Sequence, residues 1–149
     1  MNVVTGIRHV GIVVSDIEKS LFFYRNLLGF SIVKTAQESG PFIDRILALD
    51  GVEVTTIKMS TLDGTTQLEL LRFKSPAPDS CTRHQVNSPG PTHVALTVHD
   101  IDTLYRYLSL HNVPFLSEPV TSPGGGAKVA FCTDPDGTLI ELVEMQKGD

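Results

Sequence analysis

The chain has 149 residues, 41% of them hydrophobic and 19% charged, a balance that fits one soluble domain with a full core and excludes two domains of ordinary size. Its net charge of −5 and lack of any Lys/Arg run exclude an electrostatic footprint for nucleic acid or anionic lipid, and no apolar run approaches the length of a membrane span. MNVVTGIRHV carries no basic segment followed by an apolar run, so a cytoplasmic protein is expected, with Cys81 and Cys132 as reduced thiols outside any C-x-x-C pair.

In chain order, HVGIVVSDI from His9 reads as a strand ending at an Asp that can cap a helix. Ile17, Leu21, Tyr24 and Leu28 follow at helical spacing. Ser15 with Glu18 adds a capping-box signal, and Gly29 is a natural stop. Strands are predicted over Phe30–Thr35, Val52–Lys58 and Gln67–Phe73. Lys74–Pro91, rich in Pro and Ser and without periodicity, reads as a surface linker. The opening pattern then returns as HVALTVHDI from His93, identical at His9/His93, Val10/Val94, Val14/Val98, Asp16/Asp100 and Ile17/Ile101. Ile101, Leu104, Tyr105 and Leu108 repeat the helix, and strands are predicted over Val113–Leu116, Lys128–Cys132 and Leu139–Glu144. DGTTQLELL from Asp63 matches DGTLIELVE from Asp136, each a turn leading into a strand.

The expectation is therefore an α+β fold: a single domain over 1–149 built from two β/α modules, about 5–74 and about 91–146, joined by a linker of about 75–90. A module this small exposes one apolar sheet face, so two copies packing around a shared cavity is the economical arrangement.

Four polar residues sit where apolar neighbours argue for burial: His9 and His93 in the first strand of each copy, Glu69 and Glu141 in the last. Taken singly, each is most simply a residue on the wet face of a half-exposed strand. Their recurrence at corresponding positions points instead to one divalent metal ion held by His9, Glu69, His93 and Glu141. Two imidazoles and two carboxylates suit Zn, Ni, Co, Mn or Fe rather than calcium, and an octahedral ion keeps two positions for water or substrate oxygens.

HVGIVVSDIEKSLFFYRNLLGF, LELL, THVALTVHDI and FCTDPDGTLIELVE together resemble the vicinal oxygen chelate superfamily (glyoxalase, bleomycin resistance protein, dioxygenase), nearest to its glyoxalase I and methylmalonyl-CoA epimerase branch. The resemblance covers nearly the whole chain. It implies paired βαβββ modules forming an open eight-stranded barrel, ligand positions at His9, Glu69, His93 and Glu141, and a homodimer. It also implies a small substrate that chelates the metal through neighbouring oxygens, with the metal as Lewis acid and Glu141 or Glu69 moving a proton next to a carbonyl. The expected activity is that of a metal-dependent lyase or isomerase; the alternatives are an antibiotic-type binding or sequestering protein and an extradiol-type dioxygenase. Val13 stands where glyoxalase I usually carries a glutathione-holding Arg, and Thr92 where epimerases usually carry a His, so the substrate stays open.

Other conspicuous residues take plainer readings. Pro123–Lys128 lacks the setting of a P-loop and reads as a mobile loop at the cavity mouth, placed beside Glu141 by the DPDG turn. His84, His99 and His111 read as surface or capping residues, and Phe22, Phe23, Tyr24 and Tyr105 as core-facing. Gln67 shares a strand face with Glu69.

Overall fold

Asp16 turns the first strand into a helix, its side chain accepting from the backbone N–H groups of Glu18 and Lys19 at 3.1 and 3.2 Å. The helix thus starts one residue later than a Ser15–Glu18 capping box requires, and Asp16 alone is the N-cap. The Lys19 N–H, with the Lys19 charge and the Glu18 N–H, holds the Asp16 carboxyl below the usual carboxylate range. Because the folded-state value is the lower one, this contribution to stability is present at neutral pH and is lost as the pH falls through it.

The computed structural model describes residues 4–78 and 86–146. The chain divides into two units, Met1–Cys81 and Thr82–Asp149. His84 and part of the expected linker lie outside the described residues. Among those described, no helix is long and apolar enough to cross a membrane.

The first unit runs β1 (His9–Val13), α1 (Ile17–Leu21), β2 (Ser31–Ser39), α2 (Pro41–Leu47), β3 (Glu53–Ser60) and β4 (Gln67–Ser75). After α1 the helix widens into π-type turns over Phe22–Leu27 and stops at Gly29, whose φ of 78° a side chain would resist. The sheet order is β1-β4-β3-β2, with β1 parallel to β4 and the other pairs antiparallel. Period-2 alternation sorts its residues. Ile12, Ile57, Met59, Leu68 and Leu70 are buried, as are Leu21, Phe23, Tyr24 and Leu27 of the helical segment, while Phe22 is 49% exposed. Helix α1 lies against β4 on this apolar face. The opposite face, carrying His9, Glu69 and Lys58, is closed at one end by α2, where Ile43 packs in a cluster with Val52, Val54, Leu71 and Phe73.

The second unit repeats the plan as β5 (His93–Thr97), α3 (Ile101–Leu110), β6 (Val120–Thr121), β7 (Ala127–Thr133) and β8 (Leu139–Met145), in sheet order β5-β8-β7-β6. Asp100 caps α3 through Thr103 N–H, and Glu144 of β8 accepts from the Ile101 N–H at 2.9 Å. The strand expected over Val113–Leu116 reduces to one bridge, Phe115 to Cys132. Tyr105 packs edge-on against Phe115, with ring centroids 4.7 Å apart.

Among the described residues eight strands form two mixed four-stranded sheets, as expected, and their ladders close no barrel. Among the described residues each sheet stops at four strands, with β1 and β2 or β5 and β6 as its edges. Leu70 has no exposed surface, so Leu70→Ala is expected to destabilise the fold by about 2–5 kcal/mol through lost transfer energy and a residual cavity. Urea unfolding of both proteins measures it, and a difference near zero would contradict the packing described.

Candidate metal centre

β1 and β4 run parallel with His9 opposite Gln67 and Gly11 opposite Glu69. His9 and Glu69 therefore share a face one pleat apart, and His9 Nε2 lies 3.1 Å from Glu69 Oε2. The second unit reproduces this register: His93 is opposite Leu139, Ala95 opposite Glu141, and His93 Nε2 lies 3.2 Å from Glu141 Oε2. The sequence repeat is thus also a repeat of functional geometry. Both carboxylates are well covered, with side-chain exposures of 13% for Glu69 and 22% for Glu141.

The donor chemistry and spacing suit a divalent ion. Two ligands at about 2.1 Å from one ion and at right angles are about 3 Å apart, which both pairs approach. The ring nitrogens turned away from the carboxylates differ. His93 Nδ1 is 2.9 Å from the Thr92 hydroxyl, so an Nδ1–H donated to Thr92 leaves the Nε2 lone pair for a ligand. His9 Nδ1 is buried without a hydrogen-bond partner. Each unit supplies two donors, and among the described residues no group of three or more His, Cys, Asp or Glu is gathered to hold an ion.

The surroundings of the two pairs are unlike. Across the ladder from Glu69 is Lys58, whose Nζ is 3.5 Å from Glu69 Oε1. Across from Glu141 is Phe131, which also meets the His93 ring edge-on at 5.4 Å. Gln67, half-buried beside His9, also lines a polar recess of ≈ 380 Å³ between Thr5–Arg8 and Gly64–Thr65. Sequence reasoning missed Lys58 and noted Thr92 only as a departure, without its contact to His93. A lone Lys inside the run TTIKMS, at the same alternation as Thr56 and Ser60, was the available signal for the first.

Other expectations change. Lys128 is paired with Asp102 of α3. Pro123–Gly126 is a tight turn between β6 and β7, with Gly124 and Gly125 at φ of 94° and 76° and the Gly125 N–H bonded to Ser122 O. This turn does not lie beside the DPDG turn. The β7–β8 register sets Ala127 against Met145 and Thr133 against Leu139, so the two turns cap opposite ends of β7, separated by about 20 Å of strand. His99 is exposed, and His111 at the end of α3 has Nδ1 2.8 Å from Tyr107 O, in keeping with surface and capping roles. Cys132 is an inert thiol: burial, with the nearby Asp134 charge, pushes it up to about 12.

The model of the Glyoxalase/Bleomycin resistance protein/Dioxygenase superfamily matches residues 6–142. The uncharacterized protein YwkD of Bacillus subtilis is 32% identical, the match covering 93% of this chain and 96% of that one. The human mitochondrial methylmalonyl-CoA epimerase is 29% identical over 91% of this chain and 72% of its own, and a lactoylglutathione lyase of Pseudomonas putida 30% over 91% and 83%. Among solved structures, a glyoxalase family protein from Bacillus cereus superposes with a TM-score of 0.88 at 27% identity, covering 99% of both chains.

Proposed function

Since the chain belongs to the Glyoxalase/Bleomycin resistance protein/Dioxygenase superfamily, we propose that it is a divalent-metal-dependent lyase or isomerase that shifts a proton next to a carbonyl. In this reading His9, Glu69, His93 and Glu141 hold one Zn, Ni, Co, Mn or Fe ion. The protein works in the cytoplasm as a homodimer, and its substrate is a small molecule with neighbouring oxygens. The observation that carries it is the twice-repeated approach of a His Nε2 to a Glu Oε2, at 3.1 and 3.2 Å in the same parallel register. When bound, the ion supplies Lewis-acid polarisation of the substrate's oxygens.

The chain's own residues divide the remaining work. Thr92 orients the His93 ring through Nδ1. Lys58 holds the outer oxygen of Glu69, which keeps that carboxylate in place as a ligand. Glu141, set against the Phe131 ring with no ammonium across the ladder, is the carboxylate that takes up the proton. Ile43, Leu71 and Phe73 form an apolar wall at the α2 end of the first unit's site face, a surface that excludes water from bound substrate.

Metal titration followed by thermal unfolding tests the reading. An ion bound only by the folded state at about a hundred times its Kd adds about 2.7 kcal/mol. Chelator-treated protein is therefore expected to gain several degrees in Tm with one equivalent of metal per chain, reversibly with EDTA. An unchanged Tm across Zn, Ni, Co, Mn and Fe would sink it.

A further inference from the structure

One row across the first sheet reads Gly11, Glu69, Lys58, Lys34, each opposite the next in the ladder. Two lysines directly opposite one another repel, and cross-strand like charges weaken a sheet. The backbone nevertheless departs from regularity to put them there. Ser31 and Ile32 pair with Ser60 and Met59, but between Ile32 and Lys34 the register shifts, so that Lys34 and not Val33 stands opposite Lys58. Without that extra residue Lys34 would face Ile57, a buried side chain. Glu69 answers only one of the two cations, and its second oxygen is committed to His9.

Charge counting gives the pair a purpose. With a dication bound, Glu69 and Glu141 bring the four-ligand centre to neutrality, so Lys58, only 29% exposed, leaves a net positive charge beside it and Lys34 adds a second. The corresponding row of the second sheet, Ala95, Glu141 and Phe131, carries no cation. We infer that Lys58, supported by Lys34, forms a subsite for a carboxylate that the substrate carries in addition to its metal-chelating oxygens. The inference rests on the metal-centre reading and assigns the substrate class: an anionic chelator, its charged end over β2 and β3.

Two hydroxamates with the same chelating head test it by isothermal titration into full-length, Mn²⁺-loaded protein: acetohydroxamate, and succinic acid monohydroxamate, which adds a carboxylate. The wild type is expected to bind the carboxylate-bearing probe about tenfold more tightly, the worth of one charge-assisted hydrogen bond. Read as the ratio of the two probes' affinities at Mn²⁺ concentrations that saturate each variant, the preference should be abolished in Lys58→Gln, mostly kept in Lys58→Arg, and reduced in a salt-dependent way in Lys34→Gln. Equal affinity of the wild type for both probes, or an undiminished preference in Lys58→Gln, overturns the inference while leaving the metal centre standing. Failure of the wild type to bind Mn²⁺ or any other of the five metals overturns the metal centre and the subsite with it.

Discussion

Glu69→Gln and His93→Ala are each expected to lower divalent-metal affinity about tenfold or more. Changes to residues that merely orient a ligand already cost about 10–100-fold; here one variant turns an anionic ligand into a neutral amide and the other deletes a ligand. The variants fail differently. Glu69→Gln replaces by a neutral amide the carboxylate that lies 3.1 Å from His9 Nε2 and 3.5 Å from Lys58 Nζ, leaving the ammonium without its counter-charge where the ion would sit. His93→Ala removes the nitrogen 3.2 Å from Glu141 Oε2 and opens space against Phe131, while leaving every charge in place. Restoring the local charge with Lys58→Gln should therefore recover part of the Glu69→Gln loss and none of the His93→Ala loss. Isothermal titration of the wild type, the two single variants and their two Lys58→Gln combinations with the tightest-binding metal measures this, and unchanged affinity in both single variants would remove the ligand assignment.

Much of this centre is legible in the sequence because a repeat converts weak signals into a strong one. A histidine in an apolar strand means little; His9 and His93, each followed by Val and by an Asp-capped helix and answered by Glu69 or Glu141, mark a shared geometry. Within each unit the parallel ladder sets the His beside the Glu, at 3.1 and 3.2 Å. What escapes the sequence is non-local or irregular. Phe22, expected in the core, is half exposed because it lies on the far side of the helix from Ile17, Leu21 and Tyr24, and the widening over Phe22–Leu27 is announced by no periodicity. Helix α2 is only seven residues, held by Pro41 at its first turn and by Asp44 accepting from the Gly51 and Val52 N–H groups, contacts that no periodicity announces. Lys34 and Lys58 lie on different strands, and only a bulge makes them neighbours. The turn at Gly124–Gly126 looks close to DPDG in the chain, yet an intervening strand puts the two at opposite ends.

The position of that turn therefore does not distinguish Glu141 from Glu69 as the base; the ladder does. Glu69 Oε1 lies 3.5 Å from Lys58 Nζ, so that carboxylate already has a fixed partner besides His9. Glu141 stands opposite Phe131 in its ladder, where Glu69 stands opposite Lys58, and its Oε2 lies 3.2 Å from His93 Nε2. If substrate oxygens displace one carboxylate from ligation, Glu141 is the one whose release leaves a proton acceptor rather than a salt bridge. Glu141→Gln in metal-loaded protein is accordingly expected to abolish deuterium uptake at the carbon next to the carbonyl of a chelating thioester or α-hydroxycarbonyl, a loss of at least about a hundredfold, the usual worth of a positioned general base. Binding of the same compound, followed by titration, should persist because three ligands remain. Glu69→Gln, assayed at metal concentrations that refill its weakened site, should retain measurable exchange. Wild-type exchange in Glu141→Gln would exclude it as the base, and no exchange by the wild type with any such compound would favour a binding protein that uses the same cavity chemistry to sequester its ligand.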